Sequence, residues 1–157
     1  MDLSIVLENQ KLNIRTCGVI IHENKLLVHK NANENFCALV GGRIKIGESS
    51  EEALKREVFE EMGKKIEITG YVTTIENFFE ADDFPYHEIM FVYRAEFEDE
   101  EDRKILNTIK NVEGEDELSY EWVYLDDLDK AKLNPRILRD ILKNNNYIYH
   151  GINDDRE

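Results

Sequence analysis

Alternating apolar and polar residues predict β-strands over much of the chain. The clearest is His87–Phe97, where Ile89, Phe91, Tyr93 and Ala95 alternate with Glu88, Met90, Val92, Arg94 and Glu96. Runs rich in β-branched and aromatic residues predict further strands at Asn13–Ile21, Lys25–Lys30, Phe36–Val40, within Ile66–Phe79 and at Glu121–Tyr124. Polar clusters predict a turn at His22–Asn24 and loops at Asn31–Asn35 and Glu80–Pro85.

A different periodicity predicts a helix at Ser50–Met62. One stripe of apolar residues recurs every four positions and can face a core: Leu54, Val58 and Met62. Ser49 is a suitable N-cap, and Glu52 can complete a capping box with it. Gly63 suits the left-handed residue that commonly ends a helix. These signals define both ends of the predicted helix.

A second helix is predicted at about Pro135–Lys143, with Pro135 at its first position. Its core-facing side would be formed by Ile137, Leu138, Ile141 and Leu142. Strands interleaved with two or three helices are typical of layered α/β proteins. The pattern therefore predicts an α/β fold.

Composition fits a single globular domain over residues 1–157. A chain of 157 residues can bury a proper core, and 41% hydrophobic residues argue against disorder. The formal net charge of −14 repels nucleic-acid polymers and anionic membranes. It would also repel a phosphate-bearing substrate unless cations and nearby basic side chains reversed the sign at the site.

No apolar run approaches the roughly 20 residues of a membrane span. The N-terminus lacks the basic and apolar regions of a secretory signal. The two cysteines, Cys17 and Cys37, stand in apolar strand-like segments where a buried thiol is the expected role. Two such thiols suit a reducing compartment. We therefore expect a cytoplasmic protein.

Three carboxylates gather toward the C-terminal end of the first predicted helix. Glu57, Glu60 and Glu61 are three and four positions apart, so their side chains converge on one face. Negative charge in a last helical turn opposes the helix dipole, at a cost of ~0.3–1 kcal/mol for each exposed group. A divalent cation would reverse this balance, because Mg²⁺ is commonly held by a few carboxylates together with substrate phosphates.

These carboxylates lie within a pattern that resembles the signature of the Nudix hydrolase superfamily, G-x5-E-x7-R-E-U-x-E-E-x-G-U, where U is a bulky apolar residue. We call residues 42–64 the Nudix box. All seven fixed positions match, at Gly42, Glu48, Arg56, Glu57, Glu60, Glu61 and Gly63. Val58 fits the first U position, whereas Lys64 departs from the second.

The resemblance covers about Ile14–Leu142 and implies an α/β/α sandwich with a mixed sheet, in which the Nudix box forms a strand-loop-helix. It implies that the Gly42 carbonyl and three carboxylates bind one to three Mg²⁺ or Mn²⁺ ions: Glu57, Glu60 and Glu61. Arg56, together with Glu48, would orient these carboxylates. Gly41 would let the backbone turn tightly beside the ion.

By the same resemblance, the chain is a metal-dependent hydrolase that cleaves a pyrophosphate bond with an activated water. The catalytic residues would be Arg56, Glu57, Glu60 and Glu61. One carboxylate must take the proton of the attacking water, and Glu57 is a candidate for this base. Other candidates lie outside the box: Glu113, Glu115, Glu117 and Glu121.

Nothing in the sequence selects one small-molecule substrate. A nucleoside di- or triphosphate or a nucleotide-sugar is the default phosphoanhydride. Arg15 and Arg43 are candidates to contact its phosphates, and Phe79 and Tyr86 to stack on its base. The long aromatic strand would also allow a homodimer.

Three alternatives remain open. A catalytically weak Nudix domain could sense a nucleotide, although the intact carboxylate set argues against this. A Nudix-fold isopentenyl diphosphate isomerase would need a catalytic cysteine beside the cation site, and Cys37 lies just before the box. An unrelated acidic interaction domain would use the charged segment Glu98–Glu117, for which an exposed helix or loop is the simpler account.

Overall fold

The computed structural model describes residues 1–104, 109–110, 118–145 and 148–156. Eleven strands lie in these residues: β1 (Ser4–Leu7), β2 (Gln10–Val19), β3 (Ile21–His22), β4 (Lys25–Asn31), β5 (Cys37–Arg43), β6 (Ile66–Ala81), β7 (Phe84–Phe97), β8 (Ile109–Lys110), β9 (Leu118–Tyr124), β10 (Leu133–Asn134) and β11 (His150–Asp154). The helices in the same ranges are α1 (Ser50–Met62), the one-turn α2 (Glu100–Arg103) and α3 (Ile137–Asn144), with a 3₁₀ turn at Leu125–Asp127.

The strands pair in the order β11–β6–β7–β2–β5–β4–β9–β8. Beside this path, β1 pairs with β2, β3 with β4 and β10 with β5. The pairs β2–β7, β6–β11 and β5–β10 are parallel, and the other pairs in the described residues are antiparallel. The prediction of a mixed sheet is confirmed.

The two longer helices cover opposite faces of this sheet. In β2, Cys17 and Val19 belong to the apolar cluster that contains α3. Between them, a Cβ at Gly18 would lie 3.4 Å from Leu54 of α1, which belongs to the other cluster. Successive side chains of a strand point to opposite faces, so the two clusters lie on either side of the sheet. The helices contribute Leu138, Ile141 and Leu142 on one side and Leu54, Val58 and Met62 on the other. This arrangement confirms the α/β/α sandwich.

Helix α1 has the ends that its sequence predicts. The Glu52 backbone N–H donates to the Ser49 hydroxyl, and the Glu52 carboxylate accepts from the Ser49 backbone N–H, which forms the capping box. Gly63 has a φ of +67°, and its N–H donates to the Phe59 carbonyl at 2.9 Å. Because each signal acts within a few residues, the local sequence is sufficient to define this helix.

The predicted acidic loop at Glu80–Pro85 is wrong, because β6 continues to Ala81 and β7 begins at Phe84. Only Asp82 and Asp83 form the turn. Both have a positive φ, of 52° and 59°, as a type I′ hairpin turn requires. Aspartate tolerates this conformation better than most residues, so two acidic residues connect the strands.

Other predicted boundaries also differ. Strand β5 continues through the paired glycines to Arg43, and β9 begins at Leu118 instead of Glu121. Helix α3 begins at Ile137, so Pro135 precedes it. The sequence did not predict β1, β10 and β11, since runs of two to five residues carry little periodic signal.

The charged segment Glu98–Glu117 contains α2, but residues 105–108 and 111–117 lie outside the described ranges. Within the described part of the chain, no helix is both long and apolar enough to cross a membrane.

Candidate active site

Two glycines of β5 at the start of the Nudix box, Gly41 just before it and Gly42 as its first residue, have no room for a side chain. Gly41 has a φ of +149°, and a Cβ there would lie 2.1 Å from the carbonyl oxygen of Thr16 in β2. At Gly42, a Cβ would lie 2.4 Å from the carboxylate of Glu57. The Glu57 side chain of α1 is therefore packed directly against the backbone of β5.

Arg56 connects the parts of the box through five hydrogen bonds within the described residues. Its Nε and Nη2 donate to the two carboxylate oxygens of Glu48, at 2.6 and 2.9 Å. Its Nη1 donates to Glu57 at 2.6 Å and to Glu60 at 3.0 Å. Its Nη2 also donates to the Arg43 carbonyl at 3.0 Å. One guanidinium thus holds three carboxylates and the end of β5 in a single arrangement.

Glu48, in the loop before α1, binds the Nε and Nη2 side of this guanidinium. The hydrogen bonds from Arg56 lower the pKa of Glu48 to about 2, and the backbone N–H of Lys45 donates to the same carboxylate at 3.0 Å. In turn, the carboxylates raise the pKa of Arg56, with Glu48 as the largest cause. Both partners are therefore charged at neutral pH, as a charge-assisted pair requires.

Glu61 is contacted from a different element. The hydroxyl of Tyr120 in β9 donates to a Glu61 carboxylate oxygen at 2.9 Å, and Tyr120 itself is fully buried. Sequence reasoning missed Tyr120, because the last strand was predicted to begin at the next residue, Glu121. An aromatic residue directly before that strand was the only available signal.

The carboxylates supply oxygen ligands without forming a closed metal cluster. Among the described residues, no three His, Cys, Asp or Glu side chains are grouped so that they could hold a metal ion alone. Glu57 and Glu60 both contact Arg56, whereas Glu61 contacts Tyr120. Mg²⁺ keeps several waters and is often held by one or two carboxylates plus substrate phosphates. The donor set therefore fits a hard cation that shares its coordination with a substrate.

The candidate bases outside the box differ in position. Glu121 is exposed in β9 and directly follows Tyr120, so the alternation of the strand directs it away from Glu61. Three other candidates lie outside the described residues: Glu113, Glu115 and Glu117.

Cys37 does not have the properties of a catalytic nucleophile. It is 3% exposed in β5, and burial raises the pKa of its thiol to about 11. The thiol is therefore protonated at neutral pH, whereas the thiolate is the reactive form. Cys17 is also buried, and burial raises its pKa to about 12. Both cysteines contribute to the apolar core.

A cavity of about 870 Å³ opens beside the sheet, and its lining includes Asn134 and Pro135, which precede α3. Its polar lining includes Arg15, His29, Asn77 and Glu88, which come from four different strands. The volume lies in the range of small-molecule sites, roughly 300–1,000 Å³. Burial opposes the charge of Arg15, but nearby carboxylates outweigh it and raise the pKa, and these include Glu88, Glu61 and Glu57. Arg15 also pairs with Arg43 of the Nudix box across β2 and β5, so the cavity lies next to the box.

The four substrate candidates from the sequence lie in different places. Arg15 and Phe79 line the cavity. Tyr86 stacks on Phe79, with ring centroids 4.8 Å apart and an interplanar angle of 11°. The Arg43 side chain is 46% exposed, and its guanidinium lies 3.9 Å from Asp2. Arg43 takes part in the Arg56 network through its backbone carbonyl.

His29 is held neutral in the cavity wall. Its Nδ1 is buried and has no hydrogen-bond partner in the described ranges. Burial lowers the pKa of His29 to about 4, and the positive charge of Arg15 contributes in the same direction. The imidazole is therefore uncharged at neutral pH.

We expect the free energy of unfolding to decrease as the pH falls from 6.5 to 4. In His29→Gln this decrease should be smaller by about 1–3 kcal/mol. In this window the unfolded chain protonates His29 while the folded chain resists until about pH 4. The stability that depends on a neutral His29 is therefore fully present above pH 6.5 and is lost as the pH falls toward 4. Urea unfolding of the wild type and of His29→Gln at pH 7 and pH 4.5 measures this contribution. Equal pH dependence in wild type and His29→Gln would contradict the prediction.

Comparison with known proteins identifies the family. A family model described as the NUDIX domain matches residues 12–144. The MutT NUDIX hydrolase from Burkholderia pseudomallei is 22% identical with a TM-score of 0.64, over 82% of this chain and 95% of that chain. An ADP-ribose pyrophosphatase from Streptococcus suis 89-1591 is 16% identical with a TM-score of 0.58, over 89% and 98%.

A structure named UDP-X diphosphatase is 16% identical with a TM-score of 0.61, over 94% of this chain and 69% of that chain. At such low identities, these likenesses show a shared fold. The family model, in contrast, covers most of the sequence and includes the whole Nudix box. The chain therefore belongs to the Nudix domain family, as its box predicted.

Proposed function

We propose that this protein is a Mg²⁺- or Mn²⁺-dependent pyrophosphohydrolase that acts on a nucleoside di- or triphosphate or a nucleotide-sugar. The Arg56 network is the observation that carries the proposal. It fixes Glu57 and Glu60 at one end of α1, where like charges oppose the helix dipole and gain little for stability. Such an arrangement suits a site that binds a cation and phosphates.

Membership of the Nudix family supports a hydrolase that acts on phosphoanhydrides. Neighbours named ADP-ribose pyrophosphatase and UDP-X diphosphatase agree with this reaction class. These neighbours are named for different substrates, so their similarity supports the reaction class and does not select one substrate.

In the proposed mechanism, a divalent cation would be held by the Gly42 carbonyl and by three carboxylates, Glu57, Glu60 and Glu61. When bound, the cation supplies neutralising charge for the phosphates and lowers the pKa of a water. Gly42 leaves space for the Glu57 carboxylate against the backbone. Arg56 engages one oxygen of Glu57, which leaves the oxygen beside Gly42 for a ligand or for a proton.

Two hydrogen bonds orient the remaining carboxylates. The Tyr120 hydroxyl donates to one oxygen of Glu61, and the Arg56 guanidinium donates to one oxygen of Glu60. Groups that are oriented before the substrate arrives need not reorganise during the reaction, which is how such sites stabilise developing charge. Either Glu57 or Glu61 can accept the proton of the attacking water in this arrangement.

The proposal extends to the setting of the enzyme. We infer one domain over residues 1–157 that acts in the cytoplasm on a small molecule and does not bind nucleic-acid polymers. The net charge of −14 supports the last point, because it repels long polyanions. A homodimer is compatible with this function.

Product analysis by mass spectrometry tests the function. The protein is incubated with Mg²⁺ or Mn²⁺ and a panel of nucleoside triphosphates, oxidised dNTPs, ADP-ribose, nucleotide-sugars and dinucleoside polyphosphates. We expect cleavage at a phosphoanhydride, reduced about 100-fold or more in Glu61→Gln because a catalytic carboxylate is lost. The exposed Glu67→Gln is the matched control and should retain the activity of the wild type. Nucleotide binding without turnover anywhere in the panel would favour the sensor alternative instead.

A further inference from the structure

The cavity contains a buried carboxylate that the Nudix box does not use. Glu88 is 4% exposed. In the described part of the chain, its polar contacts are Asn77 Nδ2 at 3.4 Å and Arg15 Nη1 at 3.9 Å. Normal N–H···O hydrogen bonds measure 2.7–3.2 Å, so the first contact is long and the second exceeds hydrogen-bond distance. Because a buried carboxylate requires donors, Glu88 retains acceptor capacity toward the cavity.

Neighbouring side chains hold Asn77, the hydrogen-bond donor to Glu88 among the described residues, in its orientation. Asn153 Nδ2 donates to Asn77 Oδ1 at 3.0 Å and to Asp155 at 2.8 Å, and Asn153 Oδ1 accepts from the Ile137 backbone N–H at 3.4 Å. Asn77 and Asn153 are each 7% exposed. This chain of contacts fixes the Asn77 amide with its NH₂ group toward Glu88.

Arg15 balances the charge of Glu88 without completing its hydrogen bonds. The Nε of Arg15 is buried and has no hydrogen-bond partner in the part of the chain that the structure describes. Arg15 also lies next to the box, because it pairs across β2 and β5 with Arg43, the residue that follows Gly42. A ligand that extended from the box into the cavity would pass Arg15 and reach Glu88.

Aromatic side chains of the same cavity suit a planar ligand. Phe36 and Phe79 both belong to its lining. The stacking of Tyr86 on Phe79 fixes the plane of the Phe79 ring. Aromatic faces favour offset stacking of a flat ring, whereas a carboxylate favours N–H donors at the edge of that ring.

Resting on the proposed function, we propose that this cavity binds the base of the substrate and that Glu88 selects guanine. Guanine presents two adjacent donors, N1–H and N2–H, to the two oxygens of a carboxylate. Adenine, cytosine and uracil place a ring or carbonyl acceptor beside their donor on the same edge. An ionised carboxylate only accepts, so such an acceptor opposes it. The substrate class would then be guanine nucleotides, with Asn77 and Arg15 as positioning residues for Glu88.

Calorimetric titration of the full chain with GMP, IMP and AMP tests the assignment. We expect GMP to bind about 10- to 100-fold more tightly than AMP, and IMP, which lacks N2–H, to lie between them. Glu88→Gln should weaken GMP binding about tenfold or more and reduce the preference for GMP over AMP. The exposed Glu96→Gln on the same strand is the control and should bind as the wild type does.

Equal affinity of the wild type for GMP and AMP would overturn the assignment, and so would the absence of binding of all three nucleotides. An unchanged preference in a folded Glu88→Gln variant would also overturn it. If this variant does not fold, the affinities of the wild type for the three nucleotides still test the assignment. Because the titration needs no hydrolysis, its failure leaves the proposed reaction standing. Selective GMP binding without cleavage of any phosphoanhydride would contradict only that reaction.

Discussion

Arg56→Lys is expected to lower kcat/KM by about 100-fold or more, which corresponds to roughly 2.7 kcal/mol of transition-state stabilisation. Arg56 makes five hydrogen bonds to Glu48, Glu57, Glu60 and the Arg43 carbonyl in the described residues. A lysine ammonium keeps the charge, but it is compact and has three donors, so it cannot bind Glu48 through both oxygens and reach the helix as well. Glu57 and Glu60 would then lose their fixed orientation.

The measurement is steady-state kinetics on whichever substrate the product analysis identifies, with a thermal unfolding curve for each protein. Arg136→Lys, at an exposed arginine before α3, is the matched control and should change neither quantity. We expect Arg56→Lys to lose about 1–3 kcal/mol of stability as well, since hydrogen bonds to charged groups are removed. A large stability loss with unchanged kcat and KM would show that Arg56 only supports the fold.

Gly41→Ala is expected to destabilise the protein by about 3 kcal/mol or more, which lowers Tm by roughly 6–12 °C for a chain of this size. The φ of +149° is unfavourable for any residue with a Cβ, and that Cβ would lie 2.1 Å from the Thr16 carbonyl oxygen. The obstacle is backbone of the neighbouring strand, so a side-chain rotation cannot relieve it. The expected change is therefore a loss of folded protein or of the β2–β5 pairing.

Gly70→Ala provides the comparison for this prediction. Gly70 lies in β6, and the nearest atom to a Cβ there would be the Arg94 Cβ at 4.0 Å. This substitution should shift the free energy of unfolding by no more than about 0.5 kcal/mol. Urea unfolding gives the free energy of unfolding of both variants and of the wild type. Similar small effects at both positions would mean that β5 moves away from β2 without much cost.

The box helix shows how much the sequence can predict when the signals are local. The apolar stripe, the capping box at Ser49 and the left-handed Gly63 each depend on residues a few positions apart. The hairpin between β6 and β7 shows the opposite case. Two aspartates in a run of polar residues predict a loop, whereas cross-strand pairing continues to Ala81 and Phe84. Pairing between strands overrode the local polarity.

The cavity residues show the same limit at the candidate site. In the sequence, the charge of Arg15 makes it a candidate phosphate contact, and Glu88 is one polar position of an alternating strand. The two residues lie 73 positions apart and meet because β2 and β7 are parallel neighbours. Tyr120 likewise reaches Glu61 only because β9 lies beside β4 in the folded sheet. Sequence periodicity indicates which residues share a face, but not what covers that face.

The sequence by itself determined the family, the α/β class, helix α1 with both caps and the order of the residues in the Nudix box. Each of these depends on spacing along the chain, which the sequence contains directly. Only the tertiary structure decided that Gly42 packs under Glu57, that Tyr120 contacts Glu61 and that Glu88 is buried in a cavity beside Arg15. Those contacts join segments far apart in the sequence, and their geometry is set by strand order and packing across the whole sheet.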